Sequence, residues 1–301
     1  MNRVGSLSRT ISYLENANPR PDEVIVVDQT QDHEIAVKIE EICKKTPLNA
    51  EYKWNSEPSL TKARNSGYAL ANGDIIVFMD DDVDVKKDTF ANIHQIFSNN
   101  TIGLAGGINE YDDLSQFSMK SVILGKKSYR KRKIGHVTKS VYGRFPISCN
   151  ESTDTEWAMG FFFAVRKSLL EKWNLRFDEN LSYYAYAEDL DFTYSFFLHA
   201  RIERIKCILS TKLKVCHNVS QEYRIPKRNE TFMYILHRRY IRNKLIPGYM
   251  SVLLCWISEL GDFVYRYIHK ENPMDILKAH LFYFKYKKDI LNGNFHYEEF
   301  M

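Results

Sequence analysis

Three adjacent carboxylates, Asp80-Asp81-Asp82, follow the apolar run Ile75-Ile76-Val77-Phe78-Met79. Carboxylates this close repel one another, so placing them at a strand end costs stability unless a cation neutralises them. Hard divalent ions such as Mn²⁺ and Mg²⁺ take oxygen ligands and bridge readily to a diphosphate. A solvated acidic turn ahead of a helix, with Asp84 and Asp88 nearby, explains the same residues equally well, and the triplet alone does not decide between the two. A second acidic pair, Glu188-Asp189, opens a predicted helix, where carboxylates commonly favour the positive end of the dipole. Arg64 fits a helix-face ion pair, His217 a hydrogen-bonded core histidine, and Trp157 plain packing. The five cysteines, Cys43, Cys149, Cys207, Cys216 and Cys255, show no C-x-x-C pair and read as reduced thiols rather than a disulfide framework or a zinc site.

The elements that must position these groups alternate between helix and strand. Leu7, Ile11 and Leu14 define a helical face within 6–16, and Pro19 and Pro21 break the chain before Val24-Ile25-Val26-Val27. That run, ended by Asp28, predicts a buried parallel strand. Ile35, Ile39 and Ile42 mark a helix, 52–54 a short strand, 59–71 another helix and 74–79 a second buried strand. Such alternation predicts a mostly parallel α/β sheet, with ligands beyond the carboxyl ends of its strands, where both Asp28 and the triplet fall. Residues from about 109 to 155 are polar, basic and irregular; an apolar strand over 161–165, helices near 169–173 and 188–199, and strand-like pieces at 202–208 and 212–216 follow. From about Thr231 the pattern is helical, with aromatic and basic residues interleaved.

Composition narrows the class further. With 301 residues, 44% hydrophobic and 27% charged, the chain is long enough to bury a sizeable core and is not of a disordered type. A net charge of +4 does not imply nucleic acid, and no nucleic-acid-binding module accompanies the basic run Lys126–Lys133. That run and His237–Lys244 read either as solvated or packed surface, or as attraction to an anionic membrane surface or to a lipid-diphosphate acceptor. The stretch near Tyr249–Ile257 is too short and too polar to span a bilayer, and the start carries no charged-then-apolar signal segment, which predicts a cytoplasmic protein. The five N-x-[ST] matches are then chance.

Several stretches, in order, resemble family 2 glycosyltransferases: the strand ending Val26-Val27-Asp28-Gln29-Thr30, then Leu60-Thr61-Lys62-Ala63-Arg64-Asn65-Ser66-Gly67, Asn72-Gly73-Asp74 and the triplet. Trp157-Ala158-Met159-Gly160 looks like that family's acceptor-side segment, Ala187-Glu188-Asp189-Leu190-Asp191-Phe192 resembles its "ED" segment, and His217 matches a histidine after the last strand. The resemblance covers roughly residues 2 to 220, and ordered motifs at the right separations are more specific than any one of them. It implies a GT-A fold (Rossmann-like, with flanking helices) over 1–225, a helical region over 226–301, and an inverting transfer from a nucleotide-diphosphate sugar donor to a saccharide or lipid-linked acceptor. By position, Asp28, Arg64, Asp80 and Asp81 would bind the donor, with Asp28 on the base and Asp80 on the ribose. Asp82 and His217 would hold Mn²⁺ or Mg²⁺, Trp157, Gly160 and Glu188 would line the acceptor side, and Asp189 would be the general base.

Two departures accompany the resemblance. Asn2-Arg3 directly follow Met1 where the family carries a β-strand, so the sheet is expected to lack that strand and to expose a neighbour's edge. Gln29 stands where a second aspartate is common. A non-catalytic nucleotide-sugar-binding or scaffolding protein is the competing expectation. A nucleotidyltransferase ranks last, because no Gly-rich loop with a lysine lies near the amino terminus.

Overall fold

A computed structural model describes residues 2–111, 133–146, 149, 151–183, 185–218 and 225–301. In chain order the elements are α1 (Val4–Glu15), β1 (Val24–Asp28), α2 (His33–Lys45), β2 (Ala50–Trp54), α3 (Leu60–Leu70), β3 (Ile75–Met79), β4 (Val83–Asp84), α4 (Thr89–Phe97) and β5 (Ile102–Asn109). Then come β6 (His136–Val137), β7 (Gly143–Arg144), β8 (Ser152–Asp154), β9 (Phe162–Arg166), α5 (Lys167–Lys172), α6 (Glu188–Ile202) and β10 (Lys206–His217). Four helices close the chain: α7 (Lys227–Leu245), α8 (Tyr249–Ile268), α9 (Met274–Lys285) and α10 (Lys287–Leu291). The α/β class expected from the alternation is present, with the helices from Lys227 onward. Lys126–Arg132 of the basic run lie outside the described residues.

The central sheet has the order β3-β9-β5-β10-β4, with β8 on β10. It is mixed rather than mostly parallel: β5 and β10 are parallel, whereas β9 runs antiparallel to both β3 and β5. No residue pattern within β9 encodes its direction. The two strand-like pieces over 202–216 are one strand, β10, with a register shift between Leu209 and Lys214. Close approach sets the glycines of β5. A Cβ on Gly107 would lie 2.7 Å from Phe162 Cδ1 and 3.0 Å from the Leu213 carbonyl oxygen.

Two apolar layers clamp this sheet. On one face α1 and α4 bury Leu7, Ile11, Ile93 and Phe97 against Phe162 and Val215. On the other, Phe78, Phe163, Phe177 and Phe192 form an aromatic block, with the last pair stacked at 4.0 Å. The amino ends of two helices are fixed by side chains: Asp32 accepts from the Glu34 and Ile35 amides, and Ser59 from that of Lys62.

One expected burial differs. β1 and β2 pair in parallel as a separate two-stranded sheet, and Val24–Val27 are half-buried, not buried. Among the described residues no strand bridges β1 and β3.

The basic run 237–244 also departs from its surface reading. His237, Arg238, Arg239 and Arg242 are buried within α7. Arg239 pairs with Glu259, Arg238 lies 3.8 Å from the Tyr142 ring centroid, and Lys244 bridges Asp178 and Asp191, each at 2.8 Å. Carboxylates and aromatic faces from other elements stand around these cations, which sequence spacing does not reveal.

Candidate active site

The site is assembled at the carboxyl ends of β3 and β10. The Asp80 amide donates to the Phe161 carbonyl at 3.0 Å, holding the start of the acidic triplet against β9. The Asn218 amide donates to the Asp82 carbonyl at 3.0 Å, which brings the end of β10 onto the triplet. His217 consequently stacks on Phe161 at 4.9 Å and places Nε2 3.2 Å from Asp82 Oδ1. Ligand atoms of Asp80, Asp82 and His217 all lie within 4.8 Å of one another. Two carboxylates and one imidazole, partly shielded from water, form a donor set that fits a divalent cation such as Mn²⁺.

Charge in this cluster is unevenly balanced. Burial pushes the Asp80 carboxyl above the usual carboxylate range, with Arg64 opposing and Asp82 adding to the shift. Asp81 points instead to Arg3, 2.7 Å away, and Arg3 also reaches Asp82 at 3.3 Å. Burial works against the charge on Arg3, but Asp81 and Asp82 more than offset it. Asp84 takes a structural part, bound by Arg9 and by Asn218 Nδ2.

Arg64 joins this end of the site to the other. One guanidinium nitrogen meets Glu188 Oε1 at 2.9 Å; a second donates to Asp80 Oδ1 and to the Gly160 carbonyl, each at 3.0 Å. A planar fork carries its donors on separate nitrogens, so it reaches acceptors that lie too far apart for a single ammonium. Glu188 is buried beside Asp189, and burial chiefly raises its carboxyl to about 8 despite the neighbouring guanidinium.

Asp189 lies in the first turn of α6. The Gly160 amide donates to its Oδ2 at 2.9 Å and the Leu190 amide to its Oδ1 at 2.7 Å. Burial holds the Asp189 carboxyl above the ordinary range, while those amides and Arg64 pull the other way. Gly160 allows this approach: a Cβ there would lie 3.0 Å from both Arg64 Nη2 and Asp189 Cβ. The helix is entered through Ala187, whose φ of 67° and ψ of 21° put a non-glycine residue in the left-handed region.

Arg64, Asp80, Asp81, Asp82, Trp157, Gly160, Glu188, Asp189 and His217 all line one cleft of about 1340 Å³. Asp28 does not line it. Its carboxylate is buried and already accepts from the Thr30 amide and hydroxyl and from Tyr52. Gln29, its neighbour, faces the cleft instead. The Trp157 ring is largely covered by Gly143 and Phe145, and its Nε1 donates to the Arg144 carbonyl. Sequence reasoning missed Arg3, Tyr142, Arg144, Tyr186 and Arg238, which also line the cleft. Arg3 carried a signal, as a cation beside the family's amino-terminal motif, and Arg238 lay within the basic run 237–244; Tyr142, Arg144 and Tyr186 carried none.

Comparison with known proteins agrees with this architecture. The family model described as "Glycosyl transferase family 2" matches residues 1–173, ending ahead of Glu188-Asp189. No match was found among curated proteins. Among solved structures, the chain resembles the mannosyltransferase PcManGT from Pyrobaculum calidifontis in complex with GDP-Man and Mn²⁺, at 14% identity and a TM-score of 0.55, over 97% of this chain and 80% of that one. It also resembles GalNAc-T7 with UDP, GalNAc and Mn²⁺, at 15% identity and a TM-score of 0.55 over 85% and 52% of the two chains. S. aureus TarS 1–349 matches at 14% identity and a TM-score of 0.51 over 99% and 88%. These likenesses establish a GT-A fold, and the family model covers more than half of the sequence. The chain is therefore a member of glycosyl transferase family 2.

Proposed function

We propose that this protein is a metal-dependent inverting glycosyltransferase that moves a sugar from a nucleotide-diphosphate donor to a hydroxyl of a saccharide or lipid-linked acceptor. The observation that carries the reading is Arg64, which ties the Asp80 end of the cleft to the Glu188-Asp189 end. Residues 1–225 would form the catalytic unit and 226–301 a helical region packed on it. That solved relatives are described with GDP-Man, UDP and Mn²⁺ supports the donor class, not its base or sugar.

In this reading Asp82, His217 and Asp80 hold Mn²⁺ or Mg²⁺, with Asp80 also facing the ribose. A divalent cation bound there stabilises the negative charge that grows on the leaving diphosphate. Asp189 takes the proton from the acceptor hydroxyl as its oxygen attacks the sugar carbon from the face opposite the diphosphate. Gly160 and Leu190 amides fix the direction of that carboxylate, and Glu188 holds Arg64 in place. Asp28 would serve the donor through Thr30 and Tyr52, its hydrogen-bond partners, and Trp157 would shape the acceptor side. Protein acid at the leaving group is not needed, so one carboxylate suffices for the chemistry.

The test is a melting titration with MnCl₂ and UDP, GDP and their sugars, followed by a transfer assay. Mn²⁺ should raise the melting temperature of the unaltered protein and not of Asp82→Ala or His217→Ala. Stabilisation indifferent to chelation would remove the metal assignment. Binding without turnover across a broad acceptor panel would favour the scaffold instead.

A peripheral membrane position is part of the same reading. No described helix is long and apolar enough to cross a membrane. Leu253, Ile257, Leu260, Val264, Leu281 and Phe284 are exposed on α8 and α9, near Lys278 and Lys285. An apolar face with lysines beside it suits the headgroup boundary of an anionic bilayer. Liposome flotation should carry the protein with anionic vesicles, and Leu260→Glu with Leu281→Glu should leave it at the bottom.

A further inference from the structure

One wall of the cleft is the short hairpin of β6 and β7, which brings Arg144 to it. Other elements fix this hairpin from several sides. Arg238 on α7 donates to the Ser140 carbonyl in its turn, and the Tyr142 hydroxyl meets those of Tyr234 on α7 and Ser258 on α8, the latter at 2.8 Å. Trp157 Nε1 donates to the Arg144 carbonyl at 3.1 Å, and a Cβ on Gly143 would lie 2.3 Å from the Trp157 ring. The backbone that carries Arg144 is therefore set by two helices and by Trp157. Tyr186, three residues ahead of Asp189, is within electrostatic reach of both Arg144 and Asp189.

Positive charge is concentrated on this wall. The guanidinium carbons of Arg144 and Arg238 lie 4.7 Å and 3.8 Å from the centroid of one ring, that of Tyr142. Like charges gathered on one ring repel, and burial strengthens the repulsion. Glu259, 3.8 Å from Arg238, is shared with Arg239. Arg3, Arg64, Arg144 and Arg238 all line the cleft, but they differ in how their charge is supported. On Arg3, Arg64 and Arg238 burial opposes the charge, and neighbouring carboxylates and tyrosines more than offset it. On Arg144 burial prevails over the help of Tyr142, and the charge of Arg238 adds to it, drawing the guanidinium down to about 10.

We propose that the acceptor carries a phosphate group and that Arg144 binds it. An anion on Arg144 restores what burial and Arg238 take from that charge, a gain the three other arginines already have from the protein. Phosphate fits better than carboxylate. It brings up to two negative charges and several acceptor oxygens to a wall where two guanidiniums share a ring, whereas a carboxylate brings one charge. Tyr186 relates this wall to Asp189, so the phosphate stands by the hydroxyl to be attacked and not by the donor diphosphate at Asp82 and His217. Arg144 thereby becomes a specificity-determining residue. The proposal rests on the glycosyltransferase reading only for the part given to Asp189. A phosphate on a glycan and the diphosphate of a lipid-linked sugar share the chemistry that Arg144 would recognise.

The experiment titrates the full chain with chelator present, so that metal-dependent donor binding is silent, and at constant ionic strength. One arm compares inorganic phosphate and glucose 6-phosphate with acetate and glucuronate. The other compares a polyprenyl diphosphate with the same polyprenol in detergent. The phosphates of at least one arm should bind at least about tenfold more tightly than their counterparts, the size of one hydrogen bond to a charged group. The arm that shows the difference identifies glycan or lipid as the source. Arg144→Gln should erase the difference and Arg144→Lys should keep part of it, because an ammonium still meets phosphate as a point charge. Unchanged amide exchange at β3 and β9 shows that both variants fold. Equal binding of phosphates and counterparts in both arms overturns the proposal, as does a difference that Arg144→Gln leaves intact. The donor reading fails separately, by an absence of Mn²⁺-dependent UDP binding in the unaltered protein.

Discussion

Asp189→Asn should lower the rate of sugar transfer by at least about 10³-fold while leaving Mn²⁺-dependent donor binding close to that of the unaltered protein. Asparagine keeps the size of the side chain and can still accept from one of the two amides, of Gly160 and Leu190, that hold the carboxylate. What disappears is the ability to take a proton. The pH profile checks the same assignment. Burial holds the Asp189 carboxyl above the ordinary range, so the active, ionised form is fully present only above that raised pKa and is lost as pH falls through it. The acid limb of kcat/KM should accordingly lie above about 3.9, the ordinary aspartate value, and should be missing from whatever rate the asparagine variant retains. A variant that transfers sugar within tenfold of normal would remove Asp189 from the role of base.

Arg64→Ala should be the most damaging single change to stability in the cleft. The guanidinium is buried against Glu188, the Gly160 carbonyl and Asp80, and it lies 5.2 Å from the Phe177 ring centroid. Removing one member of a buried charge network strands the others, at a cost of about 3–5 kcal/mol. Arg64→Lys should recover little of the loss, because a single ammonium cannot span acceptors on three separate segments. Chemical denaturation checks the stability effect. Calorimetric titration of the surviving folded protein with UDP and Mn²⁺ checks whether the donor end is disturbed along with the acceptor end.

Much of the frame could be read from residue order. Asp28 and the triplet both fall at strand ends, and the triplet, Arg64, Gly160, Glu188-Asp189 and His217 converge on one cleft although they span more than half of the chain. Local pattern was sufficient there because each residue closes or opens a regular element. It failed where the outcome depended on partners distant in sequence. Strand direction in β9 depends on how the chain returns to the sheet, and the burial of Arg238 and Arg239 depends on Glu259 and Tyr142 from other elements. Asp28 was legible as a strand-end carboxylate, but its hydrogen bonds to Thr30 and Tyr52 were not, since Tyr52 reaches it from β2. Val24–Val27 show the converse: a run that reads as a buried strand is half-buried where, among the described residues, only β2 pairs with β1.

The entry into α6 sets a trade-off for protein engineering. Tyr183, Ala185 and Ala187 all have positive φ, at 58°, 48° and 67°, in the few residues ahead of Glu188. A left-handed backbone disfavours a β-carbon by roughly 1–2 kcal/mol at each such position. A selection for heat tolerance would therefore find Ala187→Gly an easy gain, because glycine adopts that conformation without steric conflict. The same freedom would let the first turn of α6, and with it the carboxylate of Asp189, sample more orientations than alanine permits. Hardiness and turnover would pull this one position in opposite directions.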